Sequence, residues 1–270
     1  MPDKSDLFPN GGQAVVLVMI LFGIEYVLNG VMLVDMRDLL GLSTTQVWAM
    51  VTLLGNGCLF TVIMHVRHLR YGPLFHAAKA SPAATLTLLL LPVLSLVPAL
   101  VLVMGVVGNV MVWLFPVSDA DAAMFAEMGN NSLASILVAT VLAPVLEEML
   151  FRGLILRSFL RQYPRWYAIA GSAVLFGVAH LNVYQFAVAS LLGLLLGWLY
   201  ERSKSLIPCI TLHAVYNGVL TWMDWSESFG KSASDAAIAG STNGAGIAGW
   251  LFAGLLAAGG WRILQRLLAR

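Results

Sequence analysis

Apolar residues run through this chain in stretches long enough to cross a bilayer, and this limits its fold more than any other property. Eight stretches can be drawn, at approximately 12–34, 46–65, 84–115, 132–156, 166–180, 184–200, 206–223 and 246–262. A membrane-spanning helix needs about 20 predominantly apolar residues. The fold class this implies is all-α: a polytopic membrane helix bundle of about eight transmembrane helices. Composition agrees, with 59% apolar and 11% charged residues against about 25% charged in soluble domains. The third stretch is long and carries Pro92 and Pro98, so it is expected to kink or tilt. The fifth and sixth are short and joined by a few residues around Asn182. The first does not read as a cleaved signal peptide: its leader has a single Lys, Glu25 interrupts the apolar run, and no small-residue cleavage site follows.

Charge distribution supports the count. With eight spans, one side holds the N-terminus, the loops 66–83, 157–165 and 201–205, and the C-terminus. Of the 15 basic residues, only Arg37 and Lys231 fall on the opposite side, and Arg152 lies inside a span. Asp35, Asp38, Asp119, Asp121, Glu127, Asp224, Glu227 and Asp235 gather on that opposite side. By the positive-inside rule both termini are expected in the cytoplasm of a multi-pass cell-membrane protein. A net charge of +1 suggests no nucleic-acid partner. Cys58 and Cys209 form no ligand or redox pattern. The segment 224–245, rich in Ser, Gly and Ala, reads as a flexible outer loop. There is no internal repeat and no glycine-rich phosphate loop.

Against this background several ionisable residues are out of place. Glu147, Glu148 and Arg152 lie in the fourth span, His180 ends the fifth, and His213 and Asn217 lie in the seventh. Facing lipid, each charge would cost roughly 2.5–3.5 kcal/mol. Together they would rival a domain's net stability, so they must pair or line a water-filled cavity. A helix turns about 100° per residue, which puts Glu148 and Arg152 on one face as an ion pair and turns Glu147 away from it. Phe176 and His180, and His213 and Asn217, are likewise four apart. Taken singly each motif has a bland reading: an ion pair near the headgroups, an end-cap histidine, an interhelical hydrogen-bond pair. Counted along the helices, Glu147 and Asn217 lie about 15 Å from the basic face, His213 about 10 Å and His180 about 20 Å. Three spans thus offer one free carboxylate, two imidazoles and a carboxamide to one region.

A buried carboxylate is pushed toward the range of a general base, a histidine beside it can help orient water, and a second histidine with an asparagine supplies donors for an oxyanion. No Ser or Cys sits at a matched position as a nucleophile. The inventory favours water attacking a carbonyl directly, which is amide hydrolysis.

The motifs EExxxR at Glu147, Glu148 and Arg152, FxxxH at Phe176 and His180, and HxxxN at His213 and Asn217 occur in this order inside membrane spans. In this the chain resembles the CAAX-protease and bacteriocin-processing (CPBP/Abi) intramembrane proteases, type II CAAX prenyl endopeptidases among them. The run 191–217, with Gly193, Gly197 and Glu201, is similar to the stretch before that family's last motif. The resemblance covers about 130–224 and implies three parts: N-terminal transmembrane helices over 1–130, a catalytic core over 131–224, and an outer loop and C-terminal transmembrane helix over 225–270. It implies Glu147 as catalytic carboxylate, His180 as its partner in activating water, His213 and Asn217 as oxyanion donors, and Glu148 with Arg152 as a structural pair. The implied partners are membrane lipids and a peptide or protein substrate: eukaryotic members trim prenylated CAAX proteins, and bacterial members are tied to bacteriocin or leader-peptide maturation, immunity and signalling. The family often carries a metalloprotease label, and Glu147, His180 and His213 match a His2Glu zinc set. HExxH is absent, so the expected mechanism requires no cofactor, with zinc as the alternative. Two other readings use the same residues: a proton-coupled transporter, with Glu25, Asn29 and Asn56 continuing a polar path, or a non-catalytic immunity or scaffold protein. The lack of repeat symmetry weighs against the transporter.

Overall fold

The computed structural model describes residues 7–32, 39, 41–119, 121–122, 132–230 and 246–269, and of 224–230 the backbone alone. Arg37, Lys231, Glu127 and Asp235, and most of the outer loop, lie outside the described residues. Helices make up the regular structure: α1 (Gly11–Val31), α2 (Thr44–Val66), α3 (Tyr71–Phe75), α4 (Pro82–Leu94), α5 (Val97–Leu114), α6 (Leu133–Gln162), α7 (Arg165–Val178), α8 (Val183–Ser203), α9 (Ile207–Gly230) and α10 (Ile247–Leu267). No strand occurs among the described residues. Among the described residues six helices (α1, α2, α5, α6, α8 and α10) are long and apolar enough to cross a membrane, and α4 is a shorter apolar helix. The chain is an all-α, multi-pass membrane bundle. Its outer surface is apolar, as lipid requires: Tyr26, Trp113 and Leu91 are each at least 75% exposed.

Two elements differ from the sequence expectation. The stretch 84–115 is two helices, α4 and α5, with a break at Ser95 and Leu96. Pro92 lacks the N–H that would carry the helix onward, and the Ser95 hydroxyl donates to the Pro92 carbonyl at 2.8 Å. Pro98 falls in the first turn of α5, where proline is tolerated. Second, residues 224–230, expected in the loop, continue α9 as helix.

Helix starts follow local chemistry. Asn10 with Gln13 and Ser43 with Gln46 form capping boxes for α1 and α2. The Asn182 side chain accepts from the amides of Tyr184 and Gln185, so α8 begins directly after the α7 turn.

The loops assigned to one side by the charge count do meet at one end of the bundle. Arg157 donates to Pro73 O at 2.7 Å, Gln162 to Pro9 O at 2.9 Å and the Gly11 amide to the Tyr163 hydroxyl at 3.0 Å. His76 pairs with Ser205 at 2.9 Å, and Arg165 bridges to Glu201 at 3.0 Å.

The tightest interface is α7 against α8, built on small residues that let the backbones approach. A Cβ on Gly193 would stand 3.0 Å from the Ala173 Cα, one on Gly197 would stand 3.0 Å from Ile169 Cγ2, and one on Gly177 would stand 2.7 Å from the Phe186 carbonyl oxygen. That oxygen belongs to backbone and cannot step aside. Gly177→Ala is therefore expected to destabilise by about 1–3 kcal/mol through overpacking. Gly254→Ala, with nothing within 4 Å of its Cβ, is expected to be neutral. Denaturation of both variants in detergent micelles checks the contrast.

Candidate functional site

Three helices meet around α6. This helix is not regular: 138–142 and 149–156 are wide π-type turns on either side of the α-helical segment Ala143–Glu148 that carries the two glutamates. Such turns often mark functional sites because they displace side chains from the regular helical register. Sequence periodicity gave no sign of them.

Glu148 and Arg152 form the expected pair, 2.8 Å apart with both side chains fully buried. An uncompensated ion here would cost several kcal/mol, and the surroundings compensate Arg152 at both terminal nitrogens and over its face, leaving Nε buried without a hydrogen-bond partner. Its second terminal nitrogen donates to the Gly193 carbonyl at 3.3 Å, and the guanidinium lies 4.4 Å from the centre of the Phe176 ring. Gly193 makes that approach possible, since a Cβ there would crowd the same nitrogen at 3.3 Å.

The sequence did not disclose the third member of the pair. His213 of α9 places Nδ1 2.9 Å from Glu148 Oε1, the oxygen that also receives Arg152. A carboxylate only accepts, so Nδ1 carries a hydrogen and donates it. The imidazole is thereby oriented with Nε2 facing Glu147, 3.7 Å from its Oε2. That separation exceeds a hydrogen bond. Glu147 is 31% exposed and Glu148 is fully buried, so the adjacent glutamates separate as helix phase requires. Glu148 Oε2 is buried without a hydrogen-bond partner.

His180 lies just beyond α7. Its Nδ1 is 2.9 Å from the Phe176 carbonyl of its own helix, which fixes the hydrogen on Nδ1 and leaves Nε2 unprotonated in the neutral ring. No hydrogen bond joins His180 to Glu147 among the described residues. Phe176 connects the two imidazoles: its ring meets His180 edge-on at 5.0 Å and His213 at 5.7 Å, with Phe151 at 5.1 Å behind it. Asn217, one turn beyond His213, donates from Nδ2 to Ala139 O at 2.9 Å, inside the first π-type segment. Its amide has a second N–H to offer. The structure thus brings Glu147, Glu148, Arg152 and His213 into one group, ties His180 to it through Phe176, and fastens Asn217 to α6. Phe176 was legible in the sequence only as the first letter of FxxxH.

Among the described residues, Glu147, His180 and His213 included, no three His, Cys, Asp or Glu side chains are gathered as a metal-binding group.

Residues 129–219 match the family described as "Type II CAAX prenyl endopeptidase Rce1-like". That segment is similar to the Rce1-like family, whose likeness the three motifs suggested, and every residue of the group lies inside it. The chain is also 28% identical over 82 residues to the Bacillus subtilis (strain 168) protein named "Putative membrane peptidase YdiL", a match covering 30% of this chain and 34% of that protein. The chain spans about a third of the length of the curated relative it matches. No solved structure matches it.

Removing one partner of a buried ion pair strands the other. Arg152→Met is expected to destabilise by about 3–5 kcal/mol. Glu148→Gln combined with Arg152→Met is expected to recover part of that loss. Chemical denaturation of the single and double variants in micelles measures both.

Proposed function

We propose that this protein is an intramembrane endopeptidase that hydrolyses a peptide bond with water activated by Glu147. The observation that carries the reading is the difference between adjacent carboxylates. Glu148 is fully buried and held by Arg152 and His213, while Glu147 is partly exposed, has no Lys or Arg ion pair among the described residues, and lies beside an imidazole nitrogen at 3.7 Å. A free carboxylate with an oriented imidazole is what general-base activation of water needs. The Rce1-like match and the likeness to a protein named as a membrane peptidase support the same class.

In this mechanism Glu147 takes a proton from water as the water oxygen bonds to the scissile carbonyl carbon. His180, with Nε2 left open, is the second proton acceptor and helps orient the water. The developing oxyanion is met by the free N–H of Asn217 and by Nε2–H of His213 when that ring carries both protons, with Glu148 as its counter-charge. No cofactor is needed for these steps. The basic loops gathered at one end of the bundle favour a cytoplasmic position for that end and for both termini, with cleavage near it. The substrate is a peptide or protein held at the membrane. The family's description favours a prenylated CAAX C-terminus, and a leader peptide or bacteriocin precursor is the other candidate.

Glu147→Gln keeps the size of the side chain and removes the base. Cleavage of a quenched farnesylated CAAX peptide by purified protein in liposomes is expected to fall by about 10²–10⁴-fold, with unchanged helix content. Wild-type turnover in that variant would sink the proposal.

A further inference from the structure

The end of the bundle where the basic loops gather holds a cavity that the hydrolytic group does not use. It lies between the start of α1, the end of α2 and the end of α6, with a volume of about 480 Å³. Ligand sites commonly enclose about 300–1,000 Å³. Asn10, Gln13, Arg67, Arg161 and Tyr163 bring polar groups to its wall, and among the described residues no carboxylate lines it.

These polar groups are set to donate. Asn10 Oδ1 accepts from the Gln13 amide and Gln13 Oε1 from the Asn10 amide, each at 2.9 Å. The capping box thus spends both carboxamide oxygens on backbone and leaves both side-chain NH2 groups as donors. The Tyr163 hydroxyl accepts from the Gly11 amide at 3.0 Å, which leaves its own hydrogen to donate. Arg67 holds its guanidinium 4.6 Å from the centre of the Phe8 ring, so one cation is fixed at the cavity. Arg161 is exposed and makes no hydrogen bond or ion pair among the described residues. Two guanidinium groups and several neutral donors, with no carboxylate among them, suit an anion, and the planar guanidinium fork suits phosphate in particular.

The surroundings indicate which phosphate. Val15 and Val16 at the start of α1 and Val66 at the end of α2 are exposed, and offer an apolar surface beside the cavity. Tyr163, Trp166 and Tyr167 are exposed around the turn from α6 to α7, and such aromatic residues settle at the level of the lipid headgroups. Basic pockets between membrane helices at that level take anionic headgroups. We infer that this cavity binds the phosphate of an anionic phospholipid, with Arg67 and Arg161 as counter-charges and the acyl chains along the exposed faces of α1 and α2. One lipid then touches α1, α2 and α6 together. It clamps the N-terminal helices to the helix that carries Glu147 and Glu148, whatever reaction that helix serves.

The test uses the purified full chain in neutral-detergent micelles. It is titrated with dioleoylphosphatidylglycerol, dioleoylphosphatidylcholine or water-soluble glycerol phosphate, and bound ligand is read by native mass spectrometry. The wild type is expected to prefer phosphatidylglycerol. Arg161→Gln, which removes no contact within the protein, is expected to weaken that binding about fivefold, since one basic residue beside an anionic lipid is worth ~1 kcal/mol. Arg67→Gln combined with Arg161→Gln is expected to abolish the preference over phosphatidylcholine. Arg262→Gln combined with Arg266→Gln removes two exposed charges from α10 and is expected to leave the preference intact. Equal binding of the two lipids by the wild type overturns the inference. So does wild-type affinity in Arg161→Gln, or an equal loss in the α10 variant, which would reduce the effect to overall charge. Glycerol phosphate that binds as tightly as the phospholipid overturns the lipid assignment.

Discussion

One carboxylate oxygen organises this site. Glu148 Oε1 receives both the Arg152 guanidinium at 2.8 Å and the His213 imidazole at 2.9 Å. It therefore ties α6 to α9 at membrane depth, where no bulk water competes for the bonds. A buried carboxylate with a single cation would be a local ion pair on one helix. With His213 added, the pair fixes which imidazole nitrogen carries hydrogen and which faces Glu147. The group that looks most structural in the sequence thus sets the protonation of its neighbour.

The packing of α7 against α8 serves the same end. Glycines on that interface bring the backbones close, and the closeness delivers the Gly193 carbonyl to Arg152 and the Phe176 ring to its face. The same ring supports both imidazoles. An aromatic edge is weakly positive and its face weakly negative, so one side chain can meet a cation over its face and imidazoles at other angles. Helix packing and the electrostatics of the site are parts of one arrangement.

Much of this was legible in the sequence because it depends on periods and on the physics of the bilayer. Apolar length gave the helices, charge asymmetry grouped the loops that meet at one end, and a four-residue spacing gave the Glu148–Arg152 pair. The remainder depends on relations between helices, which a single sequence does not encode locally. That His213 reaches Glu148 as well as Glu147 follows from how α9 crosses α6. The break at Ser95 depends on α10 as well as on Pro92, because Gly260 sits against that turn. The π-type turns of α6 leave no mark in hydropathy. Glu25 and Asn56 stood out as polar residues in the first two spans, but their hydrogen bond to each other appeared only in three dimensions.

The central claim is that a carboxylate freed from its neighbour performs hydrolysis within the membrane. The most direct measurement compares peptide termini, by mass spectrometry of membrane and secreted fractions, between cells carrying the wild-type chain and cells carrying Glu147→Gln at equal expression. The account predicts at least one new C-terminus that is present with the wild type and absent with the variant. Identical sets of termini would contradict it.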